Sequence, residues 1–237
     1  MEVVDLGHVR LCTMQRPERR NAFDQEHYHA LAAALAGAAD DDTVRVVVVT
    51  GTGTAFSAGQ DLKEMAALAD GSSEGTNDGF PRLLDQLDTF PKPLLAAVNG
   101  DAVGIGMTML LHCDIVLVAA EARLRVPFSE LGVPPEAGSS ALLPDVVGWQ
   151  QAAELLFTSR WIDGAEAVAM GLALRVHPRE ALLAESLGLA TQIAEQSSWA
   201  VQTAKRLMLA GRGDRSRAAR RGEDAAFATL FGRNTDV

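Results

Sequence analysis

The chain has 237 residues, 48% hydrophobic and 22% charged, enough for one large globular domain with a sizeable core. A net charge of −10 argues against broad binding to nucleic acid, and no apolar run approaches the length of a membrane span. The two cysteines, Cys12 and Cys113, are far apart and outside metal-type spacing. That usage, with no basic and apolar leader over the first five residues, predicts reduced buried thiols in a cytoplasmic protein.

Residues 3–14 alternate loosely and end at Arg16-Pro17, a strand followed by a turn. Residues 24–39 are rich in Ala and Leu at helical spacing, with Asp24 placed as the cap. Residues 44–50 are a β-branched run without alternation, which reads as a strand buried on both faces. A short helix at 62–69 leads into the loop-like DGSSEGTNDG at 70–79. Helical spacing returns at 80–90 and stops at Pro91-Lys92-Pro93. A second buried strand is expected at 94–98, a helix at 104–112 and a third strand at 115–120. Beyond Trp149 the strand signal nearly vanishes. Residues 152–157, 164–170, 179–196 and 199–210 read as helices, and only 173–176 looks extended. The expected fold class is therefore α/β, with a core over 1–148 and a helical region over 149–237. A late basic cluster, from Lys205 and Arg206 through Arg212, Arg215, Arg217, Arg220 and Arg221, reads as a solvated helix face or a local anion site.

Two glycine-containing turns stand out. Phe56-Ser57-Ala58-Gly59-Gln60-Asp61-Leu62 and Asn99-Gly100-Asp101-Ala102-Val103-Gly104-Ile105-Gly106 each follow a β-type run and precede a helix-like segment. Small residues let a ligand approach the backbone, and the first N–H groups of a helix have no partner within it. Two such turns meeting at one point would make a two-donor cradle for a developing oxyanion. The five histidines, His8, His27, His29, His112 and His177, fall in no triad or metal spacing. Ser57 lacks the G-x-S-x-G context of a hydrolase nucleophile.

Read together, FSAGQDL, PKPLLAAVNGDAVGIG, CDIVLVAAEARLRVPFSELGVPPEAGSS and ALLPDVVGWQQAAELLFTSRWIDGAEAVAMGLALRV resemble the crotonase family, the enoyl-CoA hydratase/isomerase superfamily, over about Val3 to Lys205. The resemblance implies a crotonase-like spiral of repeated ββα units with an α-helical C-terminal trimerisation region, assembled as a homotrimer or a dimer of trimers. It implies an acyl-CoA thioester as substrate and no separate cofactor, since coenzyme A is part of the substrate. Neither a nucleic acid nor a membrane is implied. By motif position the backbone N–H groups of Gln60 and Ile105 form the oxyanion hole. Arg16, Ala58, Gly59, Asp61, Lys63, Gly104 and Lys205 fall where the family binds substrate or coenzyme A. Three of these keep a plainer reading: Arg16 as a turn stabiliser, Asp61 as a helix cap and Lys63 as solvated surface.

Which reaction follows depends on the acid/base groups. Typical hydratases resemble one another in carrying two carboxylates, and here those positions hold Thr108 and Phe128, neither of which can act as a carboxylate base. Leu131-Gly132-Val133-Pro134-Pro135-Glu136-Ala137-Gly138-Ser139-Ser140 instead resembles the delta-3,delta-2-enoyl-CoA isomerase branch, whose single Glu is the acid/base group. One carboxylate suffices to carry a proton from C2 to C4 of the same substrate. The resemblance therefore implies that the chain shifts the double bond of a 3-enoyl-CoA to a 2-enoyl-CoA, with Glu136 as the acid/base. The alternatives are an enoyl-CoA hydratase or another crotonase-type lyase, or an acyl-CoA-binding paralogue with little turnover. Glu136 also reads as a helix-start carboxylate, and Glu130 as an amphipathic surface position.

Overall fold

In a computed structural model, the structure describes residues 1–69 and 77–232. The loop expected at 70–79 falls mostly outside them. The first expected strand is a hairpin. β1 (Glu2–Leu6) and β2 (Val9–Met14) pair antiparallel across Gly7-His8, a two-residue turn that loose alternation did not reveal. Asp24 accepts a 2.9 Å bond from the His27 N–H and starts α1 (Gln25–Asp40), as its cap position dictates. β3 (Val46–Gly51) follows, then β4 (Ala55–Ser57), α2 (Leu62–Ala69) and α3 (Gly79–Thr89). Next come β5 (Leu94–Val98), β6 (Asp101–Val103) and α4 (Ile105–Thr108). The expected helix at 104–112 thus changes to a 3₁₀ turn over Met109–His112 before β7 (Ile115–Ala119), β8 (Arg123–Arg125) and α5 (Phe128–Leu131). The remaining elements are α6 (Ser139–Val147), α7 (Trp149–Thr158), β9 (Ile162–Asp163), α8 (Gly164–Ala169), β10 (Arg175–His177), α9 (Arg179–Ala194), α10 (Ser198–Ala210) and α11 (Gly213–Gly232).

Two sheets organise the chain. The larger runs β1-β2-β3-β5-β7-β10, parallel except at the β1 edge. Val46–Val49 and Leu94–Val98 in its centre are fully buried, which is what unbroken apolar runs in a parallel sheet require. The smaller sheet runs β4-β6-β8-β9. Its strands have two or three residues each, too short to carry a period-2 signal, and the sequence gives no warning of them.

Each central strand of the large sheet hands the chain to a short strand of the small one. β3 turns into β4 and β5 into β6, so the two units stack in register, with Ala55 opposite Asp101 and Ala102 opposite Leu124. Asn99 ties the successive turns together. Its side chain accepts from the Gly51 N–H at 3.1 Å and donates to the Gly53 and Ala55 carbonyls. Asn21 does the same one layer earlier, donating to Thr52 and Ala55 while accepting from the Arg16 N–H. These amides replace backbone pairing where the chain changes sheets. Together they form a repeated strand–turn–strand spiral with helices outside.

The boundary expected at residue 148 is not a boundary of the core. β9 pairs with β8 in the small sheet, β10 pairs with β7 in the large one, and α9 packs across the large sheet. The later residues are mostly helical, but they complete both sheets. No helix among the described residues is long and apolar enough to cross a membrane.

Candidate active site

The two glycine turns meet. β4 ends at Ser57, and Ala58 and Gly59 are pinned by bonds from the Ala58 N–H to the Arg20 carbonyl and from the Gly59 N–H to Ser57 Oγ. The Gly59 carbonyl accepts from Phe23 N–H, and the Asp61 N–H donates to the Phe23 carbonyl. This pairing skips the Gln60 N–H, which has no partner among the described residues. On the other turn, β6 ends at Gly104 with φ +53, and the Ile105 N–H at the start of α4 is likewise without a partner there. Glycine is required on both sides. Gly59 has φ +94, and a Cβ on it would stand 2.9 Å from the Val103 carbonyl oxygen.

Glu136 reaches the same point from a third segment. A Cβ built on Gly104 would lie 3.9 Å from Glu136 Oε1 and 3.9 Å from Gly59 Cα. The carboxyl therefore stands at the junction of the two turns. Burial first, and then the neighbouring Glu223 carboxylate, push it up to about 7. Burial and the charge of Glu136 in turn push the Tyr28 phenol upward. Tyr28 stacks on Phe23 and meets the edge of Phe80, which places an aromatic wall from α1 near the site.

The two positions that lack a carboxylate are apolar or inert. Thr108 is fully buried in α4, and its hydroxyl has no partner among the described residues. Phe128 is buried at the start of α5. Glu130, two residues on, is exposed and paired with Arg125, as its surface reading requires. The helix-start role left open for Glu136 belongs to another residue. Glu223 accepts from the Gly138 N–H at 2.7 Å and the Ser140 N–H at 2.9 Å, at the beginning of α6.

The residues expected at a coenzyme A site divide. Ala58, Gly59 and Gly104 are in the two turns. Asp61 is buried, accepts from the Lys63 N–H at 3.0 Å and so caps α2. Arg16 spans Asp24 and Asp61, each at 2.9 Å, and also donates to the Ala22 carbonyl. That is the turn-stabilising role. Lys63 is exposed beside the Gln60 turn. Lys205 is paired within the chain: its ammonium is buried, donates to the Lys92 carbonyl and Asp114, and lies over the Phe90 ring. Within this chain it closes an ion pair with Asp114. Lys205→Ala is expected to lower stability by about 1–2 kcal/mol through loss of its bond to the Lys92 carbonyl, its pairing with Asp114 and its packing on Phe90, with the KM for an enoyl-CoA unchanged within about twofold. Thermal unfolding and steady-state kinetics check both halves.

Two contributors escaped the sequence. Glu223 lies 85 positions from Gly138. His112 donates from Nε2 to the Ala137 carbonyl at 2.8 Å and faces Asp88 through Nδ1 at 3.3 Å. Neither sits in a motif, because each acts across a packing contact. Both cysteines are buried and free, and burial pushes their thiols up to about 12, far from the range of a nucleophile.

A stacked-turn spiral that brings together two turns, each with an N–H unpaired among the described residues, beside a carboxyl pushed up to about 7, is suited to stabilising an enolate. The comparisons agree: the sequence profile described as enoyl-CoA hydratase/isomerase matches residues 7–235, and the chain belongs to that family, the crotonase superfamily. A protein of Thermus thermophilus named putative enoyl-CoA hydratase is 38% identical over 213 residues, 89% of this chain and 84% of its own length. Enoyl-CoA delta isomerase 2 of Rattus norvegicus is 39% identical over 179 residues, 74% of this chain and 46% of that longer protein. Among solved structures, an enoyl-CoA hydratase/isomerase from Pseudoalteromonas atlantica superposes with a TM-score of 0.92 at 38% identity, covering 96% of this chain and 90% of that one.

Proposed function

We propose that this family member is an isomerase acting on a 3-enoyl-CoA, with Glu136 as the only acid/base catalytic residue. The observation that carries the reading is the Glu136 carboxyl at the meeting point of the Gly59 and Gly104 turns, with Thr108 and Phe128 at the two positions where the hydratase pattern needs acids. The thioester carbonyl rests on the Gln60 and Ile105 N–H groups. Glu136 removes a C2 proton. The negative charge spreads to the thioester oxygen, where the two N–H groups stabilise it. Glu136 then returns the proton to C4, and the double bond comes into conjugation with the thioester. No water takes part, so no second carboxylate is needed. Well-placed oxyanion donors contribute on the order of 10²–10³ each in rate, and the positioned base about 10²–10⁴. Among the cations expected at the coenzyme A site, Lys63 is the exposed one and suits the phosphate-bearing part of coenzyme A.

A second reading is hydration, favoured by the names of several relatives, including the 2,3-dehydroadipyl-CoA hydratase of Escherichia coli. The two readings separate with trans-3-hexenoyl-CoA and trans-2-hexenoyl-CoA as probes. Isomerisation gives a conjugated thioester of unchanged mass. Hydration adds one water to the 2-enoyl ester. Loss of activity on the acid side follows from the site. Glu136 must be ionised to take the C2 proton, so kcat/KM is expected to fall about tenfold per pH unit below about 7. A profile flat down to pH 5 would assign the proton transfer to another group.

Exposed Trp149, Phe157, Trp199, Leu207 and Met208 on α7 and α10 provide apolar surface suited to self-association as a trimer.

A further inference from the structure

α11 carries the later part of the basic cluster, Arg215 to Arg221, that reads as a solvated helix face, yet one stripe of the helix is buried. Ser216, Arg220 and Glu223 follow one another at i, i+4 and i+7 and so share a face. Ser216 Oγ donates to Asp88 Oδ1 at 2.7 Å. Arg220 donates to Asp88 Oδ2 at 2.7 Å and to Asp85 Oδ1 at 2.9 Å. These bonds fasten α11 to α3. Arg215 adds an ion pair to Asp145 of α6 at 2.7 Å. Glu223, 5% exposed, completes the stripe by accepting from the Gly138 N–H, the Ser140 N–H and, at 2.6 Å, the Ser140 hydroxyl.

The turn it grips is strained and sits directly after Glu136. Ala137 and Gly138 both take left-handed conformations, with φ +60 and φ +72. The first is unfavourable for a residue with a side chain and persists only where its surroundings hold it. Two groups hold it: His112 on the Ala137 carbonyl and Glu223 on the next N–H. Gly138 also packs so closely on α11 that a Cβ there would stand 2.9 Å from Ser216 Oγ.

We propose that Glu223 is a positioning residue: from α11 it fixes the Ala137–Gly138 turn and thereby sets where the Glu136 carboxyl stands over the two-turn cradle. The inference rests on the isomerase reading for its catalytic consequence, but the positioning itself does not. Its charge has a second effect. A carboxylate next to Glu136 disfavours ionisation of Glu136, adding to burial. Among the described residues, the other charged or titratable groups around this turn are His112 from the 3₁₀ turn, Asp88 from α3, Arg220 from α11 and Tyr28 from α1. Asp88 is held well below the usual carboxylate range: burial works upward, but bonds from His112, Ser216 and Arg220 outweigh it. It therefore stays charged across the range in which Glu136 titrates.

The test uses the full chain, trans-3-hexenoyl-CoA as probe and two variants. Glu223→Gln keeps one carbonyl acceptor and removes the charge. It is expected to lower kcat about 10- to 100-fold with KM within about threefold, and to move the titration of Glu136 downward by roughly one pH unit. That titration is read by NMR of ¹³C-glutamate-labelled protein, the signal being assigned by its loss in Glu136→Gln. Glu223→Asp keeps the charge but falls one methylene short. It is expected to lower kcat while Glu136 still titrates near 7. An unmoved Glu136 titration and native kcat in Glu223→Gln would overturn the proposal, as would a lower melting temperature with native kcat and pH profile in the folded fraction. If Glu223→Gln does not fold, Glu223→Asp decides alone, native kcat counting against positioning. A native protein that does not isomerise the probe would sink the isomerase reading, and the NMR titration would still decide the role of Glu223.

Discussion

Glu136→Gln is expected to lower kcat for trans-3-hexenoyl-CoA by at least about 10³-fold while KM changes by no more than about threefold. Glutamine matches the shape and leaves the Gly59 and Gly104 turns untouched, so the thioester still finds its two N–H donors. It cannot take a C2 proton. Among the described residues Thr108 and Phe128 fill the other two positions, Glu130 is turned outward against Arg125, and Glu223 is held by the Gly138 and Ser140 N–H groups. The same variant is expected to melt at a higher temperature above pH 7. The sign follows from linkage. The folded state raises the Glu136 carboxyl from its ordinary 4.5 to about 7. The stabilisation from holding that proton is complete below the ordinary value and is lost as pH rises through about 7. At higher pH the protein carries a buried charge that glutamine removes. A variant that kept activity, or that lost stability at pH 8, would contradict the role given to this carboxyl.

Gly59→Ala is expected to remove about 2–3 kcal/mol of stability and about 10²- to 10³-fold of kcat/KM. Both effects have one cause. The residue sits at φ +94, and its new methyl would stand 2.9 Å from the Val103 carbonyl oxygen. That oxygen is backbone of the opposite turn and cannot swing aside, so relief comes only by spreading the turns that carry the Gln60 and Ile105 N–H groups. For a chain of this size the stability loss corresponds to a fall in melting temperature of about 4–12 °C. Calorimetry and steady-state kinetics on one preparation check the pairing. A fall in melting temperature with native kcat/KM would separate the turn from the chemistry.

Much of this was legible in the residues. The unbroken apolar runs at 46–49 and 94–98 announce central parallel strands, because a strand covered on both faces needs no alternation. The two glycine turns were legible for a related reason, since close backbone approach favours glycine, whereas the acid/base role of Glu136 came from the resemblance alone. What sequence concealed was anything that depends on partners far along the chain. The strands of the small sheet are too short for a period, and only pairing across the spiral makes them strands. Lys205 reads as a free cation until Asp114 and the Lys92 carbonyl close around it, 91 and 113 positions away. Glu223 carries no signal of its own beside Arg220 and Arg221, yet it accepts from the first N–H groups of α6. His112 has no motif at all, since its partners are a backbone carbonyl and an aspartate from another helix.

The most direct test is the ratio of two kcat/KM values measured on the same native protein: conjugation of trans-3-hexenoyl-CoA, followed by ultraviolet absorbance, and addition of water to trans-2-hexenoyl-CoA, followed by mass. With Glu136 as the acid/base group, the proposed isomerase is expected to show a ratio of about 10² or more in favour of conjugation. A ratio in favour of hydration would contradict it, and would mean that a group other than a paired carboxylate positions water at this site.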